Sequence, residues 1–232
     1  DTLYVNFNNF DISNFDLLTK GYGIDIDGFI DGNFQMSGLS KRLTFLSNID
    51  VNDIAVNKHI VGDAKLDAEW NAPDTSININ AEVVRDNNIE DKILVLNGKY
   101  FTSRNDNLDF KTDINGIDIS VISPFVKNVV SRVSGNLDGD LNILGSFEKP
   151  VITGEARLYD AACKINYLNT YYKINEFEGS RIPLNRYIKF SENKIDLNSI
   201  VLTDTLGNHA MANGIVTHNY LRDFNFDIDI EL

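Results

Sequence analysis

Cysteine is almost missing from this chain. Cys163 is the only one among 232 residues, which excludes an internal disulfide and a cysteine-rich metal framework. Such a chain fits a cytosol or a periplasm. The lack of any N-x-[ST] sequon among abundant asparagines points away from a eukaryotic secreted domain. No apolar run approaches the roughly 18 residues of a membrane-spanning helix, and neither an initiator Met nor a signal peptide is present. Beginning at Asp1 and stopping at Leu232 in mid-alternation, the sequence reads as a fragment of a longer protein, any anchor of which would lie outside it. Bases are outnumbered, 21 against 34 acids, for a net charge of −13. Free nucleic acid and anionic membrane surfaces are therefore poor partners, because no basic patch exists to displace counterions or meet lipid headgroups. The acidity is read as solvation of exposed strand faces.

Catalytic patterns are missing too. His59, His209 and His218 are the only histidines, and none lies in an H-E-x-x-H or H-x3-H arrangement. With Cys163 they form no metal set of recognisable spacing. Asp138-Gly139-Asp140-Leu141-Asn142 imitates the start of a calcium loop, then places Ile143 where glycine is needed and Lys149 where the bidentate glutamate belongs. Gly21-Tyr22-Gly23 is followed by Ile26 where a dinucleotide fingerprint needs its third glycine. Nucleophile-elbow, Walker and kinase signatures do not occur. The expectation is a non-enzyme with no catalytic residue, cofactor or metal.

What is present is alternation with period two, the mark of strands with one apolar and one solvated face. Residues 24–36 place Ile24, Ile26, Gly28, Ile30, Gly32, Phe34 and Met36 on one face, and only Phe29 breaks the rule on the other. Residues 133–145 do the same with Val133, Gly135, Leu137, Gly139, Leu141 and Ile143. Phe224, Phe226, Ile228 and Ile230 alternate with Asp223, Asn225, Asp227 and Asp229. Further strands are expected near 43–51, 60–70, 76–84, 92–101, 107–115, 151–158, 162–167, 171–177, 187–191, 194–203 and 208–217. Helix is scarce. Ser123-Pro124 reads as an N-cap and N1 pair, and residues 15–18 occupy the matching place 107 positions earlier.

That offset is the chief organisational signal. Residues 3–38 align with 110–145 without a gap: Asn8, Asp11, Ile12, Ser13, Gly28, Asp31, Gly32 and Gly38 recur as Asn115, Asp118, Ile119, Ser120, Gly135, Asp138, Gly139 and Gly145. The chain therefore divides into repeat units of about 3–109 and 110–232, as in arrays of stacked units. The paired glycines leave gaps in the side-chain row, which suits either a strongly curved sheet or a local bulge. About fourteen one-faced strands with almost no helix must hide their apolar sides. Two sheets could face each other, or one sheet could fold over and enclose an apolar groove.

The second half resembles the C-terminal region of the TamB family, the translocation and assembly module of the AsmA-like group, in its Bacteroidota form. The residues that carry this are the G-x-L-x-G-x-L-x-[IL]-x-G strand 135–145 and Pro150-Val151-Ile152-Thr153-Gly154. Asp204-Thr205-Leu206-Gly207-Asn208-His209-Ala210 and Gly214-Ile215-Val216-Thr217-His218 complete the set. The resemblance implies an all-β sheet, antiparallel or mixed, folded into an elongated half-pipe (a β-taco) with an apolar groove. It also implies a periplasmic segment of an inner-membrane-anchored protein in a Gram-negative bacterium, serving outer-membrane biogenesis. The implied partners are phospholipid acyl chains or unfolded outer-membrane protein strands, and an Omp85-type barrel met through regions outside this fragment. The groove lining is then expected from Ile24, Ile26, Ile30, Phe34, Met36, Val133, Leu137, Leu141, Ile143, Phe224, Phe226, Ile228 and Ile230. A structural or adhesive β-sandwich spacer would share the alternation without any groove.

Overall fold

The computed structural model describes residues 2–15, 24–38, 44–86, 88–174 and 187–231, and every structural statement below concerns those residues. The protein is all-β, with 75% of it in strands. The strands are β1 (Thr2–Asp11), β2 (Ile26–Ser37), β3 (Thr44–Val56), β4 (His59–Asn71), β5 (Ser76–Val84), β6 (Lys92–Phe101) and β7 (Leu108–Asp118). They continue with β8 (Val130–Gly145), β9 (Pro150–Ile165), β10 (Thr170–Ile174), β11 (Tyr187–Ser191), β12 (Lys194–Asp204), β13 (His209–Asn219) and β14 (Arg222–Glu231). One helical turn, α1 (Ser123–Val126), follows a 3-10 turn at Ile119–Ile122.

Two compact units result: Asp1–Asn115 with Asn142–Val151, and Gly116–Leu141 with Ile152–Leu232. In the first unit β1 to β7 form an antiparallel meander, each strand paired with its neighbour in sequence. Short connections and period-two alternation make this the natural outcome, since each hairpin keeps the apolar side chains on one face. In the second unit β12, β13 and β14 continue the same pattern. The short strands β10 and β11 share one place there, both pairing with β9 on one side and β12 on the other.

Two expectations are corrected. Residues 151–158 and 162–165 belong to a single strand, β9, which passes through Asp160 with a left-handed φ of 48°, and 166–167 lie in the turn after it. A lone αL residue bends a strand without ending it, so the gap expected at 159–161 is not a break in the strand. Ser123 is the first residue of α1 rather than its N-cap. Ile122 occupies the cap without a side-chain bond, and Pro124 sits in the first turn, where its missing N–H costs nothing. In the first copy a 3-10 turn spans Ile12–Phe15, and the rest of the expected segment 15–18 lies outside the described residues.

The repeat recurs in local geometry. Asp11 accepts from Ser13 N–H at 2.9 Å, and Asp118 accepts from Ser120 N–H at 2.8 Å. Asp31 accepts the backbone N–H of Asn9 at 2.9 Å, and Asp138 accepts that of Gly116 at 2.8 Å. Asn9 and Gly116 are both left-handed, with φ of 50° and 79°. In β1 this is a bulge: between the pairs Phe7–Gly32 and Phe10–Ile30, two residues, Asn8 and Asn9, oppose the single Asp31. The extra N–H has no ladder partner, and the carboxylate supplies one. The device is used twice more. Asp53 (φ 54°) donates to Asp63 at 2.9 Å, and Ser199 (φ 52°) donates to Asn213 at 2.7 Å. All four acceptors lie beside a glycine in their strand: Gly32, Gly62, Gly139 and Gly214.

Candidate functional site

With register in hand, the apolar side chains fall into rows that run across the strands. In the first unit one row reads Val5, Phe34, Ser47, Ala68, Ile79, Gly98, Phe110. A second reads Phe7, Gly32, Ile49, Leu66, Ala81, Leu96, Thr112, and a third reads Phe10, Ile30, Val51, Ala64, Val83, Leu94, Ile114. The third row is largely closed, since Ile30, Val51, Val83 and Ile114 are all buried. The middle row is different. From Phe7 to Leu96 each of its six members is half-buried, and only Thr112 at its end is buried. At about 4.8 Å per strand this strip runs for roughly 24 Å.

The opposite face is as regular. Asn6, Asn33, Asn48, Asp67, Asn80, Asn97 and Lys111 pair successively across seven strands, and all are exposed. Asn48 donates its side-chain amide to Asp67. Such a ladder is solvated and leaves the sheet one apolar side only. Ser47 interrupts the apolar side: it is 2% exposed, and its hydroxyl makes no hydrogen bond among the described residues.

In the second unit the corresponding rows end on β14. Phe226, Val216, Ile195, Phe190 and Gly154 form one, with Leu141 lying against Gly154. Ile228, Gly214, Leu197, Ile188 and Ala156 form the next. A closed cluster of Tyr172, Ile188, Ile200, Leu202, Ala210 and Ala212 lies here, and Ile228 and Ile230 pack on its margin.

Of the thirteen expected lining residues, Ile30 is buried and the other twelve are half-buried. Ile24, Ile26, Ile30, Phe34, Met36 and Ile143 belong to the first unit; Val133, Leu137, Leu141, Phe224, Phe226, Ile228 and Ile230 belong to the second. Phe29, the exception to the alternation, is 40% exposed beside Asp27 on the solvated face. Asp25, Asp27, Asp138 and Asp140 are not buried. Sequence reasoning missed Ile49, Leu66, Ala81 and Leu96, which carry the middle strip. Their alternation was legible, but their alignment with Gly32 depends on register.

His218 is 8% exposed, its ring lies 5.7 Å from Phe224, and its Nδ1 accepts from the N–H of Leu221. Burial lowers its pKa from the ordinary histidine value. Exposed His209 bonds Thr203 at 3.0 Å, and His59 is half-buried. Burial pushes the Cys163 thiol up to about 11, which keeps it protonated and a poor nucleophile. Among the described residues no three His, Cys, Asp or Glu side chains are grouped to hold a metal ion, and no helix is long and apolar enough to cross a membrane. Gly21-Tyr22-Gly23 lies outside the described residues. No protein-family model, curated protein or solved structure matches the chain.

Proposed function

We propose that this chain is a non-catalytic, TamB-like periplasmic segment that shelters acyl chains of phospholipid on the apolar face of its sheet. In this role it supports outer-membrane biogenesis. The observation that carries the reading is the strip from Phe7 to Leu96: apolar, continuous over six strands and half-buried throughout. An acyl chain in water costs about 0.8 kcal/mol per CH₂, hence about 13 kcal/mol for 16 carbons. A strip of Phe, Ile, Leu and Ala removes that cost without directional bonds, so a chain slides along it and meets no deep well. Under this reading an inner-membrane anchor and an Omp85-type barrel are reached through other parts of a longer protein. Unfolded outer-membrane strands are the competing cargo.

A second reading, a structural or adhesive spacer, is favoured by the closed third row and by the buried cluster around Leu202. Native mass spectrometry of detergent-free protein separates the two: co-purified phospholipid is expected from a lipid carrier and not from a spacer. Leu66→Arg places a charge on the strip at a cost of several kcal/mol to any passing tail, whereas Leu66→Ala removes little of the lining. Lipid crosslinking should fall sharply in the first variant and stay near normal in the second. Ile143→Arg against Ile143→Ala repeats the test at a second point. Equal behaviour of folded Arg and Ala variants would support the spacer.

A further inference from the structure

Asn-Gly occurs three times in the chain, at 97–98, 115–116 and 213–214, and each pair lies in a strand. Asparagine is thermolabile, and a following glycine makes it more so, because no side chain shields the glycine nitrogen. That nitrogen can attack Cγ of the asparagine; its proton leaves with the side-chain amide as ammonia, and a cyclic succinimide remains. Water then opens the ring at either carbonyl, giving aspartate or isoaspartate. For attack the nitrogen must give up its hydrogen and turn toward the neighbouring side chain. Whatever holds the N–H in place therefore holds back the reaction.

The three pairs are held differently. Gly98 is paired on both sides, with Ile79 of β5 and Phe110 of β7. Gly214 is paired with Leu197 of β12 and Ile228 of β14, and Oδ1 of Asn213 accepts the Ser199 N–H at 2.7 Å. Asn115 is exposed, and the register with β6 ends one residue before it, at Ile114. Gly116 turns into the left-handed region at a φ of 79°, and its N–H is bonded to the Asp138 carboxylate at 2.8 Å.

We propose that Asn115–Gly116 is a self-modification site kept closed by Asp138. The charge-assisted bond must break before the Gly116 nitrogen can turn, so the carboxylate that completes the bulge also sets the rate at which Asn115 is converted. Conversion is irreversible and acts back on the latch. Isoaspartate sends the main chain through the side-chain carbon, which lengthens β7 by one atom just before Gly116. The first copy of the repeat carries the latch without the site: Asn8 is followed by Asn9, whose side chain hinders the attack. The site is independent of whether the sheet face carries lipid.

The test is peptide mapping by mass spectrometry of the whole chain, aged at neutral pH, with a synthetic peptide of residues 110–120 as the unprotected reference. Asn115 should deamidate far more slowly in the protein than in the peptide. Asp138→Ala should raise its rate roughly tenfold and leave Asn97 and Asn213 unchanged, whereas Asp138→Asn, which keeps an acceptor, should stay near the parent rate. Asn9→Gly moves the site to the first copy: Asn8 should stay intact beside Asp31 and react once Asp31→Ala is added. Equal rates in protein and peptide, or an unchanged or slower rate at Asn115 in Asp138→Ala, would overturn the proposal. So would acceleration shared equally by all three asparagines, or fast conversion of Asn8 in Asn9→Gly while Asp31 is intact.

Discussion

The two copies of the repeat solve one backbone problem with different residues. In the first, Asn9 takes the left-handed bulge position and Asp31 accepts its N–H; in the second, Gly116 takes the position and Asp138 accepts. Asparagine and glycine are the residues that enter this conformation at least cost. The constant element is the carboxylate on the next strand, beside a glycine. The bulge is therefore specified by its acceptor more than by the bulged residue itself.

The comparison breaks most severely at the glycines. A Cβ on Gly32 would lie 2.3 Å from Asn48 O, and its φ of 136° is closed to other residues. Gly139 has no such φ, but its Cβ would lie 2.7 Å from Glu155 O and 2.8 Å from the Ala156 Cβ. Gly32→Ala should cost about 3 kcal/mol and Gly139→Ala about 1–2 kcal/mol, as measured by urea unfolding. A larger loss in the second variant would mean that crowding, not φ, sets the requirement.

The acceptors come next. Asp31 also takes a bond from the Asn52 side-chain amide at 3.2 Å, whereas Asp138 has the Gly116 bond alone among those described. Asp31→Ala should therefore cost about 2 kcal/mol and Asp138→Ala about 1 kcal/mol, each with faster exchange of the amide it held. Asn substitutions, which keep an acceptor, should recover most of the loss. At the donor, Asn9→Gly copies the second repeat and should change stability by less than about 0.5 kcal/mol. Asn9→Val should cost about 1–2 kcal/mol, because a β-branched side chain resists positive φ.

The smallest effect separates the units by the origin of their depressed carboxyls. Asp74 is held below the ordinary aspartate value chiefly by the Lys99 ammonium at 2.6 Å, and Asp204 chiefly by the Asn208 side-chain amide at 2.8 Å. Both contributions to stability are present above the unfolded pKa and are lost as pH falls through the lower folded value. In an NMR titration, 1 M salt should raise the Asp74 midpoint and leave Asp204 nearly unmoved, since screening acts on the ion pair.

Much of this was legible in the residues, and the reasons differ by element. The boundaries of β5, β6 and β11 follow from alternation bounded by turn residues. The paired glycines stood out as repeated gaps, yet the role of the aspartates beside Gly32 and Gly139 did not, because nothing local shows that Asp31 will meet an N–H lying 22 residues earlier. The expected strands 151–158 and 162–167 leave a gap where Asp160 only bends β9, since alternation is interrupted by a single αL residue as it is by a turn.

The sequence by itself determined the strand type, the apolar face of each strand and the repeat, because period-two alternation is a local property of the pleat. Tertiary structure alone decided which residues share a row. A slip of two residues keeps every side chain on its proper face, so alternation is blind to it. Only the assembled hairpins, pinned by their latched bulges, aligned Phe7, Gly32, Ile49, Leu66, Ala81 and Leu96 into one strip and seven polar side chains into another on the opposite face.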